Sequence, residues 1–419
     1  MPDQCPLESP SLKLSFNRSS IRPLNNSLIP SVLSLRASLA ASVLALAALL
    51  PVTASVAQIA VSANDHKMVW DNGKTGVAAN APQDNVTVID LSASPLRVLG
   101  QVVVPVTVAG PPQTVAVSPD ESIALVTSGQ KIDPANPSKT ISDNRLSVID
   151  LKVRPPQLLT TLTLGAGAAG VSFNRDGDMA IVANRDEGTV SVLAVRSGTV
   201  RLLDTIAVGK PDSQPSHVVF ANKGKIALVT RQADHQVTVL AIDGLTVKPT
   251  GHDISVGIRP YAMAAHPTLP MVVVANVGRS SGDTDTLSII NTSRPPARVV
   301  ATLDVGLETP EGLVISPDGR WMAVVAHAGS TKPLNSPFAT PNGKVLLYRI
   351  NGFEITKVDE AKIGRWSQGA VFSRDAKTLL VQNMVERNIQ VFDLTGQRLV
   401  DTGASIPLTG GGAAIRIAE

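Results

Sequence analysis

The stretch Glu311–Gly329, EGLVISPDGRWMAVVAHAG, contains two apolar segments separated by Ser-Pro-Asp-Gly. Both segments are rich in β-branched and other apolar residues, which is typical of strands. Pro followed by Asp-Gly favours a type I turn. The stretch therefore predicts an antiparallel β-hairpin.

Six stretches of this kind follow one another along the chain, with the turn recurring every 45 to 57 residues. They are TVAVSPDESIALVTS at 114, GVSFNRDGDMAIVAN at 170, HVVFANKGKIALVTR at 217, AMAAHPTLPMVVVAN at 262, GLVISPDGRWMAVVA at 312 and AVFSRDAKTLLVQN at 370. Repeats of this length indicate a propeller or a helical array. A third strand such as TVSVL and a fourth such as QLLTTLTL follow each hairpin, so the propeller is favoured.

The two ends of the chain predict a seventh blade. HKMVWDNG (66–73), NVTVIDL (85–91) and RVLGQVVVPV (97–106) supply three strands without a first one, and GGAAIRIA (411–418) is a single strand. Together they make four. We therefore expect an all-β fold, a seven-bladed propeller of four-stranded antiparallel blades closed by pairing of the N- and C-terminal segments.

Residues 1–57 have the layout of a secretory signal peptide. Residues 37–50 are apolar, Arg36 precedes them, and small residues follow as far as Ala57. We expect cleavage near Ala57, a single domain over 58–419, and a periplasmic or secreted location without a membrane span. An uncleaved N-terminal anchor helix is the alternative.

Composition narrows the functional classes. Cys5, the only cysteine, lies in the expected leader, so the mature chain has no thiol for a disulfide, a catalytic cysteine or a cysteine metal site. Without the leader the chain has 33 basic and 32 acidic residues, and aromatic residues are 3% of the whole sequence. The near-neutral charge and scarce aromatics argue against nucleic-acid binding. We expect no metal, no cofactor and a monomer.

The repeats, with VAN, VTS or VQN ending the second strand and TVSVL or TLSII opening the third, resemble YVTN-type and lactonase-like seven-bladed propellers. The resemblance covers about residues 60–419. His217 in QPSHVVFANKG is the one position at which the lactonase-like pattern carries over directly. Ser216 stands where that pattern has arginine, Arg231-Gln232 where it has Asn-Glu, and Val277 where it has arginine.

Two zones of each blade are expected to meet on one face of a propeller, here named the top face: the segment leading into the first strand and the loop after the second. Polar residues in these zones are the candidates. For catalysis they are His217, Arg231 and Glu311, and for ligand binding Arg185, Arg259, Tyr261, Asn276 and His327. Arginines at a channel mouth suit a carboxylate or phosphate.

Two functions remain open at this stage. The first is a binding or scaffold propeller of the cell envelope that holds a small anionic ligand or a protein partner on its top face. The second is a metal-independent, lactonase-like hydrolase or lyase acting on a lactone or related ring, with His217 as general base. A support subunit for a separate redox protein is a weaker third interpretation.

Overall fold

The structure is a computed structural model that describes residues 58–419. Within them lie thirty strands and one 3-10 turn, Pro211–Ser213. The expected signal peptide and its cleavage site fall on residues 1–57 and lie outside the described residues. No helix among residues 58–419 is long and apolar enough to cross a membrane.

The strands are β1 (Ile59–Asp65), β2 (Met68–Asp71), β3 (Lys74–Val77), β4 (Asn85–Asp90), β5 (Arg97–Val103), β6 (Val115–Val117), β7 (Ile123–Asp133), β8 (Asn136–Asp150), β9 (Gln157–Thr163), β10 (Ala168–Phe173), β11 (Met179–Asn184), β12 (Thr189–Arg196), β13 (Thr199–Ala207), β14 (Pro215–Ala221) and β15 (Ile226–Arg231). The second half contains β16 (Gln236–Asp243), β17 (Thr246–Ser255), β18 (Pro260–Ala265), β19 (Met271–Asn276), β20 (Thr286–Asn291), β21 (Arg298–Asp304), β22 (Pro310–Ile315), β23 (Trp321–Ala326), β24 (Gly343–Asn351), β25 (Glu354–Ile363), β26 (Ser367–Phe372), β27 (Thr378–Asn383), β28 (Asn388–Thr395), β29 (Arg398–Pro407) and β30 (Gly411–Arg416).

Seven four-stranded antiparallel sheets contain all but two of these strands, so the predicted seven-bladed propeller is confirmed. Blade 1 has the order β30-β1-β4-β5, and blades 2 to 7 are the consecutive groups β6–β9, β10–β13, β14–β17, β18–β21, β22–β25 and β26–β29. The seven inner strands β6, β10, β14, β18, β22, β26 and β30 contact one another in a closed ring. Blade 1 thus takes its innermost strand from the end of the chain and the other three from residues 59–103.

The quoted hairpin folds as its sequence predicts. β22 pairs with β23, with Leu313 opposite Val324. In the turn the Ser316 hydroxyl donates to Asp318 over 2.6 Å and accepts the Trp321 amide over 3.0 Å. Gly319 closes the turn at φ 73°, where a side chain would be strained. The aspartates of these turns are therefore structural.

The core lies between the blades. Between blades 6 and 7, for example, Val325, Leu347, Phe372 and Phe392 are fully buried in one cluster. Because each blade buries both faces of its inner strands, the second strands are apolar at nearly every position, as in MVVVAN of β19. Packing of neighbouring blades fixes the inner strands, and with them the residues that lead into them.

Two details of the sequence interpretation are wrong. HKMVWDNG is not a blade strand, because β1 supplies that strand and is buried at all seven positions, while β2 and β3 form a separate hairpin with more exposed residues. Residues 128–143 fall where the repeat pattern predicts the loop after the second strand of blade 2. They extend β7 and β8 into a long ribbon that bends at register shifts near Ser128 and Ile132.

Candidate functional site

The two top-face zones of a blade are joined by the backbone. In blades 3 to 6 the amide that follows the second strand donates to the carbonyl of the residue that precedes the inner strand, as in Arg185 to Gly167 (2.9 Å), Val277 to Arg259 (3.1 Å) and His327 to Thr309 (3.0 Å). These preceding residues have left-handed backbone conformations in several blades: Gly167, Gln214, Arg259, Thr309 and Trp366. Strained residues of this kind persist only where the surrounding structure enforces them. Blades 3 to 6 thus each present two residues at the inner end of the top face.

Arg185 extends from this position in blade 3 towards the propeller axis. Its guanidinium donates to the side chains of Ser216 and Gln232 in blade 4, and to Gln214 over 3.2 Å. It also lies 5.8 Å from the ring centre of Tyr261 in blade 5. Residues of blades 3 and 5 can meet only across the centre of the ring, so this place is the top opening of the central channel, here called the channel mouth.

Glu311, the second residue of β22 in blade 6, is the acidic group of the channel mouth. Only 8% of it is exposed. Burial raises the pKa of its carboxyl to about 8, although Arg259 and Arg185 lower it in part. A carboxyl whose pKa is shifted this far by burial among charged partners is a typical functional-site candidate.

His327 completes the group. Its Nε2 lies 4.0 Å from Glu311 Oε2 and has no hydrogen-bond partner among the described residues. Burial lowers the pKa of the ring to about 4, so the imidazole is neutral near pH 7. An unpartnered buried nitrogen facing a carboxyl is a place for a ligand atom or a water.

Tyr261 links this group to the arginines. Burial first, and the neighbouring Glu311 second, raise the pKa of its hydroxyl well above the ordinary value. The hydroxyl is therefore a hydrogen-bond donor throughout the physiological range. The structure thus brings five of the eight sequence candidates together, and we call them the mouth cluster: Arg185, Arg259, Tyr261, Glu311 and His327.

His217 does not reach the mouth cluster. It is fully buried, its Nδ1 accepts the Met263 amide over 3.1 Å, and its Nε2 lies 3.5 Å from the Ser172 hydroxyl. Burial, with a smaller effect of Arg416, lowers the pKa of the ring well below its ordinary value. His217 is a neutral imidazole enclosed between blades, where its backbone and side chain hold neighbouring inner strands.

Arg231 and Asn276 are not part of the mouth cluster, and their side chains bond to residues close to their own strands. Arg231 donates to the Val208 carbonyl over 2.7 Å and contacts Asp253 at 3.0 Å and Asp234 at 2.9 Å. The Asn276 amide donates to Thr286 and Ser288, as the Asn184 amide does to Thr189 and Ser191. The asparagine of the V-x-N pattern therefore ties the second strand to the third.

Two buried glutamines are not among the candidates predicted from the sequence. Gln113 and Gln368 are buried, and the Oε1 of each has no hydrogen-bond partner within residues 58–419. Gln368 is the second residue of β26, the position that Tyr261 has in β18 and Glu311 in β22. Aligning the six hairpins on their turns would have found both glutamines. Gln113 lies five residues before the turn serine Ser118, just as Glu311 and Gln368 lie five residues before the serines of their own turns.

Other sites are less suited to chemistry. A groove of about 960 Å³ lies at the opposite end of blades 2 and 3, among the turns that contain Asp120 and Asp176. Among residues 58–419 no three histidine, aspartate or glutamate side chains are placed to hold a metal ion. The mouth cluster is therefore the candidate site.

Comparisons with known proteins agree with this fold. The family model "Lactonase, 7-bladed beta-propeller" matches residues 140–260. No curated protein matches the chain. The resemblance to lactonase-like seven-bladed propellers that the sequence suggested is thereby confirmed.

Three solved structures illustrate the similarity. One is a provisionally assigned 6-phosphogluconolactonase from Bacteroides fragilis, with a TM-score of 0.66, 15% identity, and coverage of 88% of this chain and 100% of that one. Another is the periplasmic gluconolactonase PpgL of Pseudomonas aeruginosa, with a TM-score of 0.61, 16% identity, and coverage of 87% of this chain and 99% of that one. A third is hydrazine synthase of Kuenenia stuttgartiensis, with a TM-score of 0.57, 16% identity, and coverage of 74% of this chain and 90% of that one. At these identities the similarity is one of fold.

The raised pKa of Glu311 predicts a specific pH dependence. Between its ordinary pKa of 4.5 and about 8 the folded carboxyl keeps a proton that the unfolded chain has released. The contribution of Glu311 to the free energy of unfolding therefore decreases as pH rises through this window, and is constant above it. Denaturant unfolding of the wild type and of Glu311→Gln across this range measures the difference. Equal slopes for the two proteins would contradict the assignment.

Proposed function

We propose that this chain is an exported propeller that binds a small anionic molecule at the channel mouth. The observation that carries the proposal is the approach of Arg185, Tyr261 and Glu311, from three different blades, to one point on the axis. Convergent polar groups with shifted pKa values at an opening are the usual mark of a ligand site.

The charge of the mouth cluster favours an anion. Near pH 7 Glu311 is mostly protonated and His327 is neutral, since their pKa values are about 8 and about 4. The two arginines remain charged at this pH. The cluster therefore has two positive charges without a matching negative one, and a carboxylate or phosphate would supply it.

The two arginines have different roles in this proposal. Arg185 is held by three side-chain acceptors and by the Tyr261 ring, so it is already ordered. In the described part of the chain the Arg259 side chain makes one long hydrogen bond, from Nη1 to the Gly278 carbonyl at 3.4 Å. Its remaining donors are available, and we assign direct contact with the anion chiefly to Arg259.

Replacing Arg259 tests this assignment. Arg259→Gln is expected to weaken binding of gluconate, citrate or phosphate by about tenfold or more, because a charge-assisted hydrogen bond is lost. Isothermal titration calorimetry measures the affinity. Arg279→Gln, in an exposed position of the next loop, is the matched control and should bind as the wild type does. Equal affinities for all three proteins, or no binding by any, would refute anion binding at the mouth.

Lactone hydrolysis is the second candidate, and the pKa of Glu311 is the observation that favours it. In this scheme the ionised carboxyl takes a proton from a water whose oxygen attacks the lactone carbonyl. The ring C–O bond then breaks, and the departing alkoxide takes the proton back from Glu311. Arg185 and Arg259 would stabilise the oxyanion. The base role expected for His217 from the sequence passes to Glu311.

The second candidate predicts a pH profile. Turnover of glucono-1,5-lactone, followed as acid release above the spontaneous rate, should increase with pH and level off above about 8, as Glu311 ionises. Glu311→Gln should lower this rate by about a hundredfold or more, yet the variant should still bind gluconate. Asp283→Asn, at an exposed carboxylate of a nearby loop, should behave as the wild type. Wild-type rates for Glu311→Gln would exclude the scheme.

The proposal of export is supported by two features. Residues 1–57 have the layout of a signal peptide, and the described strands all follow them. Every described strand begins after Gln58, so removal of residues 1–57 would leave each of them in place. Expression of the full chain in a bacterium with a periplasm, followed by N-terminal sequencing of the periplasmic fraction, should give a start near Gln58. Recovery of the protein only from the cytoplasm, with the leader attached, would contradict export.

A further inference from the structure

The outermost strand of blade 2, β9, differs from the other six outer strands. Its sequence, QLLTTLT, has no charged residue, whereas β5, β13, β17, β21, β25 and β29 each contain at least one. Leu158 and Leu159 are 43% and 49% exposed. Charges on edge strands normally prevent pairing with other chains, so β9 lacks the usual protection.

The backbone of β9 is available along one side. Among the described strands β9 pairs only with β8. A register irregularity lies near Leu159, and each of the other six outer strands has one at the corresponding place. Beyond it Thr160–Thr163 pair regularly with Arg145–Val148. This regular stretch is long enough to accept a short extended segment.

A groove of about 960 Å³ runs beside β9, between the outer parts of blades 2 and 3. Its apolar lining includes Leu159, Leu162 and Val200. Its charged lining consists of four aspartates and two basic residues: Asp120, Asp150, Asp176, Asp178, Lys152 and Arg196. The groove therefore has an excess of two negative charges.

We propose that β9 and this groove form a docking site for an extended, basic peptide segment of another protein. The segment adds to β9 as a fifth strand of blade 2, places apolar side chains against Leu159 and Leu162, and directs lysines or arginines towards the aspartates. Main-chain pairing gives such sites their affinity, and the flanking pockets give them their preference. The site lies at the other end of the blades from the mouth cluster and is independent of it.

Charge distinguishes this occupant from a second copy of the chain. A two-fold dimer places the same patch on both partners. Two copies of the groove would therefore face each other with like excess charge, which opposes association. A basic segment neutralises the negative charge of the aspartates, whereas a second copy of the chain does not.

The test uses short capped peptides of defined sequence. A peptide of alternating Val and Lys is expected to bind the folded protein, and fluorescence polarisation measures its dissociation constant. Alternating Val and Glu should bind about tenfold more weakly or worse, because the groove repels it. The Val-Lys peptide N-methylated at alternate residues should lose binding as well, since it cannot pair along β9.

Variants locate the binding. Leu159→Lys places a charge on the edge strand and should weaken binding of the Val-Lys peptide about tenfold. Asp176→Asn should weaken its binding to a smaller extent. Leu202→Lys, at a leucine of β13 that is 41% exposed, is the matched control and should bind normally. Equal binding of the basic and acidic peptides, unchanged binding by Leu159→Lys, or no peptide binding overturns the proposal. A dimer that Leu159→Lys dissociates would overturn it in favour of self-association.

Discussion

The pairing of β30 with β1 is the constraint on which the rest of the molecule depends. Val61 lies opposite Arg416, so segments from the two ends of the described chain share one sheet. This sheet completes the ring of inner strands, and the ring brings residues of non-neighbouring blades within contact distance at the axis. Arg185 and Tyr261 are 76 positions apart in sequence and belong to blades 3 and 5, yet they stack. Without the closed ring there would be no mouth cluster.

Desolvation determines the protonation states at that point. Burial is the largest effect on the pKa of Glu311, of His327 and of Tyr261, and it moves each group towards its neutral form. The arginines alone resist this effect because guanidinium stays charged. The mouth is therefore a place where neutral donors and acceptors surround two fixed positive charges, and the anion binding that we propose would depend on burial as much as on the arginines themselves.

The sequence predicts the blades well because each hairpin is a local pattern, with alternation and turn residues in contiguous chain. It predicts the mouth less well. In a strand, neighbouring residues point to opposite sides, so a shift of one position decides which residue faces the axis. In β14 that position belongs to Ser216, and His217 is the next residue and lies in the core. β2 was misassigned for a different reason, since a surface hairpin has the same alternation as a blade strand.

Ser216 also explains how the site departs from the lactonase-like pattern. The pattern has an arginine there, and here the serine hydroxyl instead accepts a hydrogen bond from Arg185 of the preceding blade. Gln232, in place of the glutamate of that pattern, accepts from the same guanidinium. A positive charge thus reaches this part of the mouth from another blade. Because a propeller offers seven equivalent positions around one axis, an arginine of any blade can supply charge to the centre. Two such sites therefore have to be compared in space rather than blade by blade along the sequence.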